Sequence, residues 1–178
     1  CDGIVAIGGG SALDLGKAVA ALALNKELSV SELAQMPSIK RLPFIAVPTT
    51  AGTGSEVTKV TVITDSAKGI KLNPGHRDLV PDIAILDPVL TLGVPNHITA
   101  FTGVDALTHA IEAYVSTKAT ILSNLYALQA IEMITANIIK AYQEPTNLEA
   151  RGQMLLASYY AGIAFSNSST NLAHAMGR

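Results

Sequence analysis

A change in hydrophobic pattern near residues 88–95 constrains the fold of this 178-residue chain more than any other feature. Before it, short runs of β-branched residues alternate with helical segments, which is typical of an α/β domain with a largely parallel sheet. After it, apolar residues recur at helical spacing and the β-branched runs fade. We therefore predict an α/β domain over residues 1–94 and a helical domain over residues 95–178.

The predicted elements follow from this pattern. We expect strands at 4–7, 44–47 and 83–86, a helix at 12–24, and a hairpin formed by 57–64 and 69–72. We expect helices at 99–116, 121–142 and 148–165, and a last apolar turn or helix that carries His174. The uninterrupted apolar character of 83–86 predicts a strand buried on both faces.

Composition excludes several classes of protein. Of the residues, 49% are apolar and 15% are charged, which indicates a folded globular chain rather than a disordered one. The net charge is −2 and no basic cluster is present, which argues against nucleic acid and anionic membranes as partners. The longest apolar stretches are too short to span a bilayer, so a cytoplasmic location is expected. Cys1 is the only cysteine, which excludes an internal disulfide and a metal site built from cysteines.

Asp105 and His109 stand four residues apart in a predicted helix. Residues at this spacing share one helical face, so a carboxylate and an imidazole can reach one divalent metal ion. Alternatively, the acid only complements the helix dipole and the histidine is an ordinary polar residue. Glu112, one turn further on, could orient a ligand as an outer-shell partner, or could be a solvated or salt-bridged glutamate.

Two loops after predicted strands have the composition of ligand-binding loops. Gly8–Ser11 opens the first helix, whose free N–H groups favour an anion such as pyrophosphate, although a tight turn explains the glycines as well. Pro48–Glu56 combines glycines with hydroxyl side chains, which suits a polar ligand, and a hydroxyl-rich turn is the alternative. Asp14 and Lys17 are interpreted as an ordinary surface pair.

Four motifs, taken in order, resemble those of the iron-containing (group III) alcohol dehydrogenase family. They are Gly8–Ser11, Pro48–Glu56, Gly103–Tyr114 and Asn171–His174, and together they extend over essentially all of the chain. The resemblance implies a Rossmann-like domain that binds NAD or NADP, followed by an all-α domain that binds Fe²⁺ or, in relatives, Zn²⁺.

The resemblance also implies roles for individual residues. Three of the four family metal ligands match Asp105, His109 and His174. The residues implied to bind the cofactor are Gly9, Gly10, Ser11, Thr49, Thr50, Thr53, Thr58 and Lys71; the first three contact the pyrophosphate and the last two the nicotinamide half. His76 and His97 match no ligand, and we expect both in exposed loops.

The sequence departs from the family pattern in ways that affect these expectations. The fourth ligand, a histidine, lies beyond Arg178, and Arg178 itself replaces a histidine that is frequent in the family. The opening βαβ unit, whose acidic residue discriminates NAD from NADP, is also absent. We therefore expect a fragment truncated at both ends, with both domains incomplete and little activity by itself.

The function implied by the resemblance is hydride transfer between an alcohol or aldehyde and NAD(P) in a metal-dependent alcohol dehydrogenase. One alternative is a zinc enzyme of the glycerol dehydrogenase type from the same superfamily. Another is a catalytically incomplete nucleotide-binding fragment. A small-molecule alcohol or aldehyde is the expected substrate, and a homo-oligomer is the expected assembly.

Overall fold

The structure is a computed structural model that describes residues 1–176. Contacts divide it into two compact units. The first contains Cys1–Pro48 and Ser55–Ile85, and the second contains Thr49–Gly54 and the chain from Leu86 onward. The domain boundary between residues 94 and 95 stays a prediction.

A small parallel sheet covered by one helix forms the centre of the first unit. Its strands are β1 (Ile4–Gly8), β2 (Phe44–Pro48) and β5 (Ile83–Ala84), in the order β1-β2-β5. Helix α1 (Gly10–Leu22) follows β1 and packs on one face of the sheet. The core between helix and sheet consists of Leu13, Ala20, Phe44 and Ala46.

Gly16 allows this close packing, because a Cβ at this position would lie 2.7 Å from the Phe44 ring. Strands β3 (Ile63–Asp65) and β4 (Ile70–Leu72) form a separate antiparallel pair. The predicted hairpin is therefore present, but its first strand is much shorter than expected.

The prediction that the strand at 83–86 is buried on both faces is wrong for the described residues. Ile83 and Ile85 are 52% and 47% exposed, and Val5 and Ile7 of β1 are also exposed. These alternate residues point away from α1, so an apolar run in this chain marks a sheet face that the described residues leave uncovered.

The second unit consists of helices joined by short turns. They are α2 (Asn96–Tyr114), α3 (Ile121–Gln143), α4 (Leu148–Ser166) and the short α5 (Leu172–Met176). Thr120 and Asn147 cap α3 and α4 by accepting hydrogen bonds from Ser123 N and Ala150 N. The largest core cluster is rich in alanine, which lets the helices approach closely; it contains Ala106, Ala110, Ala130, Ile134, Ala141, Ala150, Met154, Ala157 and Ala161.

This arrangement confirms the predicted fold class, an α/β part with a parallel sheet followed by an all-α part. Helices α2, α3 and α4 lie within a few residues of their predicted bounds. Among the helices described, none combines the length and apolarity needed to cross a membrane.

Candidate metal centre

Helix α2 presents three polar side chains along one face. The adjacent, apolar face carries Ala106, Ala110 and Ala113, all fully buried. Asp105, His109 and Glu112 follow one another at spacings of four and three residues, so they line up along the helix. His109 and Glu112 are 7% and 6% exposed, whereas Asp105 is only partly buried.

The short helix α5 brings His174 to the same place. The Nε2 atom of His174 lies 3.3 Å from Oδ1 of Asp105, and Nδ1 of His109 lies 3.8 Å from Oδ2 of Asp105. One ligand atom from each of the three residues lies within 4.8 Å of the others. Coordination bonds of about 2.0–2.2 Å place ligand atoms of one tetrahedral ion roughly 3–4 Å apart, so modest adjustment would let all three reach one cation.

The ring of His109 is fixed by contacts on several sides. It stacks on Phe165 and on His174, with ring centroids 4.4 and 4.1 Å apart. Its Nδ1 lies 3.3 Å from the carbonyl oxygen of Gly52. A carbonyl can only accept, so Nδ1–H is the donor and the lone pair of the neutral ring is on Nε2.

Glycines hold the Gly52 carbonyl in this position. A Cβ at Gly52 would lie 2.7 Å from Cβ of Thr102 on α2, and one at Gly54 would lie 2.7 Å from Cα of Gly162 on α4. Gly54 also has a φ of +63°, which favours glycine. Loop 49–54, in which Thr49, Thr50 and Thr53 are half-buried, is therefore packed against the helices of the second unit.

The two histidines have opposite electrostatic environments. Burial lowers the pKa of His109, and the nearby Asp105 carboxylate offsets this only in part. The pKa of His174 is raised, first by its hydrogen bond to Asp105 and then, against the effect of partial burial, by Glu112. A metal-bound imidazole is neutral, so the raised pKa of His174 means that a proton would compete with an ion for this ring more than it would for His109.

The contacts of Glu112 decide between the two interpretations of this residue. Its Oε2 lies 2.7 Å from Nδ1 of His174, and its oxygens also accept backbone N–H groups of Asn171 and Ala173. Glu112 is therefore an internal hydrogen-bonding partner of the α5 segment and not a solvated glutamate.

The predicted cofactor residues of the first unit lie at two places. Gly9 is the N-cap residue of α1, followed by Gly10 and the exposed Ser11 at the start of the helix. Lys71 lies exposed on β4, whereas Thr58 is 3% exposed and its hydroxyl accepts a hydrogen bond from Lys17. Cofactor binding by these residues stays a prediction.

The interpretation of Asp14 and Lys17 as a surface pair is wrong, because both are buried. Lys17 is fully buried, and its ammonium contacts Asp14 at 3.2 Å, the hydroxyl of Thr58 at 3.0 Å and the carbonyl of Val60 at 2.7 Å. Further hydrogen bonds to Asp14 come from the Ser55 hydroxyl and the Val62 amide. Residues 55–62, which follow β2, cover this side of α1 and create a buried polar cluster.

Two further expectations concern residues outside these clusters. His76 is not simply exposed: it accepts a hydrogen bond from the Asp78 amide and contacts the Met36 carbonyl, which keeps its ring mostly buried. His97 is exposed, as predicted, but it lies in the first turn of α2 and not in a loop. The substitution of the family histidine by Arg178 lies outside the described residues.

Comparison with known proteins identifies the family. The family models for iron-containing alcohol dehydrogenase and for the C-terminal part of Fe-containing alcohol dehydrogenases match residues 1–88 and 99–178. The chain belongs to the iron-containing alcohol dehydrogenase family. This confirms the resemblance inferred from its motifs.

Individual members of this family are similar over the full chain. The chain is 52% identical to the probable alcohol dehydrogenase EutG of Escherichia coli over 99% of its own length and 45% of that protein. It is 41% identical to the NAD-dependent methanol dehydrogenase of Bacillus methanolicus, covering 99% of this chain and 46% of that one. The chain thus spans about half the length of the curated relatives that it matches.

Solved structures agree with this assignment. The sulfoacetaldehyde reductase of Bifidobacterium kashiwanohense, determined in complex with NAD⁺, superposes with a TM-score of 0.91 at 42% identity. The match covers 98% of this chain and 47% of that structure. The fold of the iron-containing alcohol dehydrogenases is therefore retained along the chain.

Proposed function

We propose that the protein is a metal-dependent alcohol dehydrogenase that transfers a hydride between an alcohol or aldehyde and NAD(P). One observation carries this proposal: Asp105, His109 and His174 converge from two segments, and each histidine has an oxygen acceptor beside Nδ1. Charged residues that cluster at a protein surface lack such buried acceptors, which orient the two imidazole rings here. Family membership supports the same function.

The side chains present fit a divalent transition metal. Two imidazole nitrogens and one carboxylate oxygen suit Fe²⁺ or Zn²⁺, and they leave positions open for a further protein ligand or a substrate. When bound, the ion supplies Lewis acidity that lowers the pKa of a substrate hydroxyl group. The buried His109 contributes a neutral ligand, and the Phe165 ring excludes water from one face of it.

We further propose that NAD or NADP binds through residues at the starts of helices and in loops. The N-terminus of α1 suits the pyrophosphate, because its first N–H groups favour an anion and its glycines permit close approach. The proposed contacts are Gly9, Gly10, Ser11, Thr49, Thr50, Thr53, Thr58 and Lys71. The nicotinamide ring supplies the hydride chemistry, and these residues bind and orient it.

The remaining parts of the proposal concern substrate, assembly and location. We propose a small-molecule alcohol or aldehyde as substrate, in keeping with the names of the relatives. We propose a cytoplasmic homo-oligomer without nucleic-acid or membrane partners. Gel filtration with light scattering tests the assembly.

Metal removal and replacement test the proposed activity. The intact protein is treated with a chelator and assayed for NADH formation with primary alcohols, before and after addition of Fe²⁺ or Zn²⁺. We expect activity to disappear with the metal and to return with one of the two ions. Turnover that persists in the metal-free protein would contradict the proposal. Restoration by Zn²⁺ alone, with glycerol as the preferred substrate, would favour an enzyme of the glycerol dehydrogenase type.

A further inference from the structure

Glu112 makes more contacts with the segment around His174 than any ordinary surface glutamate would. Its Oε1 accepts the Ala173 amide at 2.7 Å, and its Oε2 accepts the Asn171 amide at 2.8 Å. Oε2 also lies 2.7 Å from Nδ1 of His174. In addition, the backbone carbonyl of Glu112 accepts a hydrogen bond from the Asn171 side chain.

These bonds hold a segment that little else holds. Helix α5 has five residues and none of them is buried, so apolar packing contributes little to its position. A helix this short is also marginal without external support for its first N–H groups. The Glu112 carboxylate satisfies several of those groups directly. The backbone of residues 171–173 is therefore held by one side chain from α2, whereas the His174 ring also contacts Asp105 and His109.

The same carboxylate determines how the His174 ring is protonated. An ionised carboxylate only accepts, so Nδ1 of His174 must carry the hydrogen in this contact. A ring with a proton on Nδ1 offers its remaining nitrogen, Nε2, to a metal ion. Nε2 lies 3.3 Å from Oδ1 of Asp105, also an acceptor, so a metal ion would take the place of a hydrogen between these two atoms.

We propose that Glu112 is a positioning residue of the metal centre, which docks residues 171–174 on α2 and keeps the His174 proton on Nδ1 so that Nε2 binds the ion. This inference rests on the proposed function. Glu112 acts through His174 and is not itself a ligand. Outer-shell partners of metal-bound histidines typically contribute 10–100-fold to metal affinity.

Two variants separate the docking contribution from the protonation contribution. Glu112→Gln keeps the size of the side chain but replaces one of the two acceptor oxygens by an NH₂ donor. In either orientation of the amide, at least one of the donors from Asn171, Ala173 and His174 then faces an NH₂ group in place of an acceptor. Asn171→Ala removes only the bond to the Glu112 carbonyl and leaves the carboxylate unchanged. This variant is the matched control, because it weakens the docking of residues 171–174 on α2 without changing the Glu112 carboxylate.

Metal affinity and histidine protonation are the two measurements. Zn²⁺ and Co²⁺ affinities of the intact protein are measured by competition with a chromophoric chelator. We expect Glu112→Gln to bind roughly 10–100-fold more weakly, and Asn171→Ala to lose less. In the Zn²⁺-loaded wild-type protein, ¹⁵N–¹H correlation spectra of the histidine rings should show the His174 proton on Nδ1.

The outcomes distinguish this inference from the proposed function. Equal metal affinity in a folded Glu112→Gln variant would overturn the inference, as would a wild-type His174 that carries its proton on Nε2. The second result requires no variant, so it decides the matter even if Glu112→Gln does not fold. Failure of the wild-type protein to bind metal through Asp105 would instead contradict the proposed function.

Discussion

Two clusters of charged residues, one in each unit, have nearly the same sequence signature and opposite properties. Asp14 and Lys17 stand three positions apart on α1, and Asp105 and His109 stand four positions apart on α2. In the first cluster, the Lys17 ammonium has three oxygen partners, so its hydrogen-bonding capacity is filled. In the second, Nδ1 of each histidine has an oxygen acceptor, and Nε2 of His174 lies 3.3 Å from Oδ1 of Asp105.

This comparison shows what separates a structural cluster from a binding site. Buried polar groups are normally paired within the protein, and Lys17 and Asp14 follow that rule, whereas Oε1 of the neighbouring Glu56 has no hydrogen-bond partner among the described residues. The centre around His109 instead brings one ligand atom from each of two imidazoles and one carboxylate within 4.8 Å of one another. A divalent metal ion is a partner that such a set of donors fits. The number of acidic and basic residues does not make this distinction, but the types of side chain that converge do.

The largest expected effect is the loss of metal binding when a proposed ligand is changed. Asp105→Asn keeps the size of a partly exposed side chain but removes its charge, so the fold should be retained. We expect metal affinity to fall by more than the roughly 100-fold that an outer-shell change causes, with alcohol oxidation falling in parallel. Chelator competition measures metal affinity, NADH formation measures alcohol oxidation, and circular dichroism checks that the fold is retained. Glu149→Gln, an exposed change on α4, is the control, and unaltered metal affinity in Asp105→Asn would remove Asp105 from the site.

For Lys17→Met we expect the reverse of the Asp105→Asn result. The free energy of unfolding should fall, and metal affinity should stay unchanged. The substitution leaves the buried Asp14 carboxylate without its cation, and breaking a buried pair in this way costs about 3–5 kcal/mol. Urea denaturation measures the free energy of unfolding, with Lys40→Met as the exposed control. A stability loss no larger than that of the control would show that the buried cluster is not what holds this side of α1. Weaker metal binding would show that the two clusters are not independent.

The elements that the sequence predicted best are those whose signal is local. Helices α2 to α4 were predicted within a few residues, because hydrophobic periodicity and residues such as Thr120 and Asn147 act within one turn. The first hairpin strand was predicted too long. Residues 57–62 have β-forming composition, but the backbone of Lys59 and Thr61 bonds to His76 and Pro74, beyond the end of β4, and forms only an isolated bridge there.

The candidate site was predictable only in part, because only some of its contacts are between residues close in sequence. Asp105 and His109 share one helix, so their spacing indicated a metal site. The partners that support them are remote in sequence: Gly52 is 57 residues from His109, and His174 is 62 residues from Glu112. No periodicity within one helix indicates such contacts. The motif resemblance supplied His174, but the role of Glu112 and the burial of Lys17 required the tertiary structure.

The smallest of the three expected effects concerns Glu56, a buried acid beside the Lys17 cluster. Burial raises its pKa to about 7 from 4.5, and its own backbone amide and Lys17 offset this only in part. The folded protein therefore holds this proton more tightly than the unfolded chain does. Ionisation of Glu56 therefore lowers the free energy of unfolding. This loss is absent below about pH 4.5, grows as the pH rises, and is complete above about pH 7, where it amounts to roughly 3 kcal/mol at most.

Glu56→Gln tests this sign, because glutamine does not titrate. Relative to the wild-type protein, the variant should gain free energy of unfolding as the pH is raised from 5 to about 8, whatever constant offset the substitution introduces. Urea denaturation of both proteins at each pH gives the difference. An exposed glutamate changed in the same way, Glu27→Gln, should give a difference that does not depend on pH over this range. A difference between Glu56→Gln and wild type that stays constant would mean that Glu56 is ionised in the folded protein. The cluster around Lys17 would then hold two ionised carboxylates, Asp14 and Glu56, beside one ammonium, and its contrast with the metal centre would be weaker, since its charges would no longer be balanced by Lys17 alone.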